Sequence, residues 1–166
     1  EMSSRGLGDV YKRQIYVRSE TDEKLNHKLV LLAKSGLWYR NIIALASKAS
    51  LDNAWQTPAV AFDDLKEFSQ DVICLSGPIW GEIPYYILSG KSLEDVYKRI
   101  QQYQEIYGIE NYFLEILYHH DIPKQELVTD TLIEIYKQYN VPLVACQNTY
   151  YVDKEDKTTQ DVIMAL

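Results

Sequence analysis

The sequence is poor in residues that mark several large classes of protein. Its 166 residues include 2 cysteines, 3 histidines and 7 glycines, and acidic residues outnumber basic ones by 24 to 17. Cys74 and Cys146 lie far apart in apolar segments, which argues against a secreted disulfide framework and favours a reducing compartment such as the cytoplasm. Lys and Arg are not clustered, so the net charge of −7 argues against a protein that binds nucleic acid by itself.

Long apolar runs and nucleotide-binding fingerprints are also absent. The longest apolar stretches, 29–33 and 141–146, are far shorter than the ~20 residues of a membrane-spanning helix. No G-x-G-x-x-G follows a strand, and neither a G-x-x-x-x-G-K-S/T loop nor a G-x-S-x-G elbow occurs. We therefore expect no membrane contact, no dinucleotide or P-loop site and no serine-hydrolase elbow.

The first 14 residues differ in character from the rest of the chain. They show neither helical nor strand periodicity, and they end in DVYKRQ, a string that resembles translated sequencing-adapter sequence. We interpret residues 1–14 as a non-native or disordered leader and residues 15–166 as one domain.

Beyond residue 15, short apolar runs alternate with helical patterns. Strands are predicted at 15–17, 28–33, 72–76, 112–116 and 143–146, and helices at 40–50, 63–68, 92–108, 123–140 and from 161 onward. Ser92 with Asp95 forms a helix-capping pattern. Buried strands separated by helices are typical of a parallel α/β sheet. An open sheet and a piece of a (β/α) barrel fit this pattern equally well.

Four residues near the ends of predicted strands are candidate functional residues. In a parallel sheet, chemistry sits in the loops after the strands, here 76–78, 118–120 and 147–150. His119 and His120 are either metal ligands or ordinary loop histidines, since adjacent side chains of an extended segment point opposite ways. Glu115 is expected to belong to a polar network rather than to act as a general base, and Cys146 to be an inert apolar side chain.

Taken in order, several segments resemble one family. The segments 28–34 (KLVLLAK), 38–49, 75–84 (LSGPIWGEIP), 112–116 (YFLEI) and 148–151 (NTYY) look like successive landmarks of the PHP (polymerase and histidinol phosphatase) domain of bacterial replicative DNA polymerase III alpha subunits. The resemblance implies a distorted, TIM-like, seven-stranded (β/α) barrel. This chain would supply its later part, with the early strands missing.

Metal-binding members of this family hold divalent cations and hydrolyse phosphodiesters, and the resemblance identifies the positions of several ligands. Where the family carries Glu, His, Cys, Asp and His, this chain has Gln14, Lys28, Pro78, Asn148 and Tyr150. A neutral amide is a weak ligand and a phenol is rarely one. His27 lies one residue from the expected histidine, and a slip of one residue turns a strand side chain to the opposite face.

The resemblance therefore implies a degenerate domain without metal or other cofactor. It would serve as a structural and protein-docking scaffold in DNA replication, contacting the rest of the alpha subunit and the proofreading exonuclease subunit, and DNA only indirectly. The parent chain resembles a DNA-directed DNA polymerase, a nucleotidyltransferase, whereas this fragment would have no activity of its own. Two alternatives stay open. One is a Zn- or Mn-dependent phosphoesterase of the 3′–5′ exonuclease type, with a rearranged site at His27, Glu115, His119 and His120; the other is an unrelated small α/β protein.

Overall fold

A computed structural model describes residues 12–22, 25–36, 39–52, 57–117, 122–147 and 153–164. Within these ranges the chain forms five strands and six α-helices. The strands are β1 (Lys12–Arg18), β2 (Asn26–Ala33), β3 (Val72–Leu75), β4 (Tyr112–Leu117) and β5 (Leu143–Cys146). The helices are α1 (Tyr39–Asp52), α2 (Asp64–Glu67), α3 (Glu82–Leu88), α4 (Leu93–Tyr107), α5 (Gln125–Tyr139) and α6 (Lys157–Met164).

The five strands form one mixed sheet in the order β1-β2-β3-β4-β5. β2 pairs antiparallel with both β1 and β3, whereas β3, β4 and β5 run parallel. The prediction of a parallel sheet is therefore correct for β3 to β5 and wrong for β1 and β2. Too few residues separate β1 from β2 for the crossover that parallel neighbours require, and the two strands pair antiparallel. The sheet is compatible with part of a PHP barrel, but five strands do not establish the seven-stranded, TIM-like form.

Most helices lie where the apolar periodicity predicts them. Ser92 caps α4, its Oγ accepting a hydrogen bond from the backbone N–H of Asp95 at 3.2 Å. Gly108 follows the last residue of α4 with a φ of 88°, and Asn140 ends α5 in the left-handed region. α5 begins two residues after Pro123 rather than at it. α3, a helix of seven residues that contains Pro84, was not predicted.

The helices pack against one face of the sheet and form a single apolar core with it. Strand residues of this core include Ile15, Val17, Leu29 and Leu31, each at most 5% exposed. They meet the apolar sides of α1, α3, α4 and α5; the helix residues are Ile42, Leu45, Ile83, Ile87, Val96, Ile100, Leu132 and Ile135. None of the helices in the described ranges has both the length and the apolar character needed to cross a bilayer.

β1 begins at Lys12, inside the segment interpreted as a leader from the sequence. Lys12 pairs with Leu32 and Gln14 pairs with Val30, so residues 12–14 extend the hairpin with β2. The outer edge of β1 is bridged by Val60, whose N–H donates to the Tyr16 carbonyl at 2.9 Å. The foreign origin of the leader stays a prediction.

Candidate functional site

The two faces of the sheet differ in chemistry. Residues that pair across neighbouring strands share a face, and alternate residues along a strand return to it. One face, called the helix-side face, carries Ile15, Val17, Leu29 and Leu31 and belongs to the apolar core. The opposite face, called the polar face, combines buried apolar residues such as Val30, Leu75 and Leu117 with the following residues of β1, β2, β4 and β5: Lys12, Gln14, Tyr16, Lys28, Glu115 and Cys146.

Two of the degenerate ligand positions are neighbours on the polar face. Gln14 is exposed and lies opposite Val30, while Lys28, two residues from Val30, lies opposite Tyr16. Such diagonal positions in an antiparallel pair are about 7–8 Å apart, within joint reach of long side chains. The Lys28 ammonium lies 5.9 Å from the centroid of the Tyr16 ring. A neutral amide and a cation therefore stand where the resemblance expects a carboxylate and an imidazole.

The third position, Pro78, is buried in the loop that follows β3. This loop packs tightly against the start of β2. The Lys28 N–H donates to the Trp80 carbonyl at 3.0 Å, and a Cβ on Gly77 would lie only 2.3 Å from the Lys28 carbonyl oxygen. Gly77 has a φ of 82° and is the residue that makes this close approach sterically allowed. The remaining two positions, Asn148 and Tyr150, lie outside the described residues.

Glu115 is a buried carboxylate on the polar face. It is 6% exposed, and its backbone N–H donates to Ser76 Oγ at 2.9 Å. Burial raises the pKa of Glu115, while a hydrogen bond with the Cys146 thiol and the charge of Lys12 lower it. Its Oε2 has no hydrogen-bond partner among the described residues. Burial, and next the Glu115 charge, raise the pKa of Cys146, so its thiol is a poorer nucleophile than an ordinary cysteine.

His27 lies on the helix-side face, opposite Val17, and its side chain is 5% exposed. Its ring centroid is 5.0 Å from that of Tyr85 on α3. Burial lowers the pKa of His27; the nearby Glu82 opposes that change and Arg99 adds to it. The imidazole is therefore neutral at pH 7, and its Nε2 has no partner among the described residues.

The structure does not bring the residues of the rearranged site together where it describes them. His27 and Glu115 lie on opposite faces of the sheet. His119 and His120 lie outside the described residues. Within the described ranges, no group of three His, Cys, Asp or Glu side chains is placed to hold a metal ion.

The sequence reasoning missed a buried polar cluster that the structure shows around Arg99. Arg99 and Glu82 are each 4% exposed, and Arg99 Nε lies 2.9 Å from Glu82 Oε2. Tyr103 OH donates to the same oxygen at 2.7 Å, and Arg99 Nη1 reaches Glu20 Oε2 at 2.7 Å. The Arg99 guanidinium also lies over the Phe62 ring, 3.9 Å from its centroid. Arg99 falls between Val96, Ile100 and Tyr103 on the buried side of α4, and this spacing could have revealed it.

Sequence comparison then decides the family. The profile of the PHP domain matches residues 12–119. The chain belongs to the PHP domain family. This match spans β1 to β4 and therefore includes Gln14, Lys28, Pro78 and Glu115 within one PHP domain.

Several curated relatives of this PHP domain carry the name DNA polymerase III subunit alpha. The protein of Borreliella burgdorferi is 35% identical over 143 residues, 86% of this chain and 12% of the relative. That of Treponema pallidum is 30% identical over 172 aligned positions, 99% of this chain and 14% of the relative. That of Thermus aquaticus is 35% identical over 138 residues, 83% of this chain and 11% of the relative. The chain thus spans between 11% and 14% of the length of these proteins.

Proposed function

We propose that this PHP domain is part of a bacterial DNA polymerase III alpha-type chain and serves there as a catalytically silent, metal-free platform for protein contacts. The observation that carries the proposal is the diagonal placement of Gln14 and Lys28 on the polar face, where metal-binding members of the family would present a carboxylate and an imidazole. The proposal is supported by relatives named DNA polymerase III subunit alpha.

The chemistry of these side chains disfavours a divalent cation. Ammonium groups carry no lone pair for a metal and repel a cation at short range. An amide oxygen is a neutral ligand and supplies no charge to offset two positive charges, and the proline has no side-chain donor. A second cation, Lys12, lies near Glu115 and lowers its pKa, so this buried carboxylate already has a positive neighbour.

The proposed partners are polypeptides. The rest of the polymerase alpha chain is one, and the separate proofreading exonuclease subunit is another. A net charge of −7 disfavours direct contact with DNA phosphates, so DNA would be reached through these partners. The proposed compartment is the bacterial cytoplasm, where replication takes place and where Cys74 and Cys146 would stay reduced.

One observation favours a second candidate, a metal-dependent phosphoesterase with a rearranged site. Glu115 has a buried carboxylate oxygen without a partner among the described residues, and its pKa is raised. A carboxyl group with a raised pKa is suited to proton transfer, and a carboxylate beside a thiol can contribute two ligands to a zinc or manganese ion. Further ligands would have to come from His119 or His120.

Metal analysis separates the two candidates. The chain is purified without chelators, incubated with Zn²⁺ or Mn²⁺, passed through a desalting column and analysed for bound metal. The scaffold predicts substoichiometric metal and no release of nucleotides from the 3′ ends of single-stranded DNA. Glu115→Gln and His119→Ala serve as matched variants. Stoichiometric metal that is lost in His119→Ala, together with metal-dependent nucleotide release, would establish the phosphoesterase instead.

A further inference from the structure

A cavity of about 430 Å³ opens where the start of β2 meets the segments that follow β3 and β4. Because β2 runs against β3, the start of β2 and the carboxyl ends of the parallel strands share one edge of the sheet. That edge is the usual place for binding sites in α/β sheets. The apolar walls come from four parts of the chain and consist mainly of Leu25, Ile79, Trp80, Tyr85, Leu88 and Ile122.

Two buried polar atoms belong to side chains that line this cavity. Asn26 Oδ1 and His27 Nε2 are both shielded from solvent, and neither has a hydrogen-bond partner among the described residues. A buried polar atom without a partner is costly, so such atoms in native proteins usually meet a ligand, a partner or a water molecule. The amide oxygen is an acceptor, and a neutral imidazole can accept a hydrogen bond at one of its two nitrogens.

We propose that this cavity takes one tyrosine or tryptophan side chain of a polypeptide segment that lies outside these 166 residues. The apolar walls bury the ring, and its O–H or N–H donates to Asn26 Oδ1 or His27 Nε2. The volume lies within the range of sites for small molecules and is ample for one aromatic side chain. Trp80, 62% exposed, extends the contact surface beyond the cavity. The inference deepens the proposed function and rests on it, because it specifies how a scaffold would hold a protein partner.

The charges and the length of the relatives favour a polypeptide over a nucleotide. The described residues that line the cavity include no Lys or Arg, so a phosphate group would find no cation there. The chain also has a net charge of −7, which repels phosphates. The chain spans only 11% to 14% of its relatives, so most of the polypeptide surface of such proteins lies outside it. Buried aromatic anchors in apolar pockets are the usual centres of protein contacts.

The test is a titration of the ¹⁵N-labelled chain with N-acetyl-tyrosinamide and N-acetyl-phenylalaninamide, followed by NMR. The two probes differ only in the phenol oxygen, so their ratio of affinities reports the proposed hydrogen bond. We expect saturable shifts at Trp80 and Leu88, with the tyrosine probe binding about fivefold more tightly, the range of one net hydrogen bond. Asn26→Ala and His27→Leu should each reduce this ratio toward one.

Tyr136→Ala serves as a control variant, because Tyr136 is 44% exposed on α5 and does not line this cavity. It should preserve the preference for tyrosine. If His27→Leu does not fold, Asn26→Ala alone carries the test, since its side chain is only half-buried. Equal binding of the two probes, absence of saturable binding, or tighter binding of adenosine or thymidine than of the tyrosine probe would overturn the proposal. None of these results bears on metal binding at the polar face. The metal analysis therefore tests the scaffold proposal separately from this one.

Discussion

His27 and Lys28 are adjacent in the chain but lie on opposite faces of β2. His27 pairs with Val17 and contacts Tyr85 among the helices, whereas Lys28 pairs with Tyr16 on the polar face. The alternation of a strand therefore decides which of the two can take part in a site on the polar face. His27 packs among the helices, and the position diagonal to Gln14 on the polar face is Lys28.

This arrangement predicts that a metal site can be engineered by changing two residues. In the double variant Gln14→Glu/Lys28→His, a carboxylate and an imidazole occupy diagonal positions of the β1–β2 pair. The replacement of Lys28 also removes the positive charge that repels a metal ion. We expect Zn²⁺ to bind several-fold more tightly than to the unchanged chain, as measured by calorimetry. His27→Gln in the same background should not alter this gain. A loss of the gain in that control would show that His27, not Lys28, is the position that reaches the polar face.

Two glycines offer a matched test of the packing between the loop after β3 and β2. Gly77 and Gly90 both have positive φ, 82° and 73°, so alanine is strained at either position by about 1–2 kcal/mol. At Gly77 the new Cβ would also lie 2.3 Å from the Lys28 carbonyl oxygen, whereas at Gly90 it would meet no atom within 4 Å. Urea unfolding should therefore show a clearly larger loss of stability for Gly77→Ala than for Gly90→Ala. Equal losses would mean that the loop moves away from β2 at little cost.

Much of the fold could be predicted from local patterns. The run 28–33 and the capping pattern at Ser92 and Asp95 appear in the structure as β2 and the start of α4. The relative direction of neighbouring strands was harder to predict, because a buried apolar run has the same sequence pattern whether its neighbour is parallel or antiparallel. The short separation between β1 and β2 was the signal that they pair antiparallel, since it leaves no room for a crossover.

The candidate site was less accessible from the sequence. Residue identity and alternation were enough to predict that His27 and Lys28 point in opposite directions. The contact between Glu82 and Arg99 could not be predicted from the sequence. The two residues lie on different helices, and only the folding of the chain brings the Glu82 carboxylate to the Arg99 guanidinium. The cavity beside Asn26 and His27 is likewise formed by segments distant in the chain, and no local pattern indicates it.

The pH dependence of stability should carry opposite contributions from His27 and Glu115. Burial lowers the pKa of His27 below its ordinary 6.5, so between that value and the folded pKa the unfolded chain binds more protons. Stability should therefore fall as the pH drops below 6.5, and His27→Gln should remove this component. Burial raises the pKa of Glu115 above its ordinary 4.5. Between 4.5 and the raised pKa, the folded chain therefore binds more protons than the unfolded chain. Its contribution is lost as the pH rises, and Glu115→Gln should remove that loss.

Urea unfolding at pH steps from 4 to 8 measures both effects in one series. The two variants must change the slope of stability against pH in opposite directions. A His27→Gln variant with the slope of the unchanged chain would show that the imidazole is protonated equally in the folded and unfolded states.

The buried ion pair of Glu82 and Arg99 provides the largest predicted effect on stability. Glu82→Gln leaves the guanidinium, 4% exposed, without its main counter-charge and weakens the hydrogen bond from Tyr103. Breaking a buried pair on one side costs about 3–5 kcal/mol. Glu94→Gln is the matched control, because Glu94 and Lys98 form an exposed pair on the same helix, at 2.9 Å, and exposed pairs contribute only about 0–1 kcal/mol. Urea unfolding of the two variants at pH 7 should separate them clearly. Similar, small losses would mean that Glu20 alone compensates the charge of Arg99, whereas a large loss for Glu82→Gln alone would identify the pair as the bond that fixes α3 to α4.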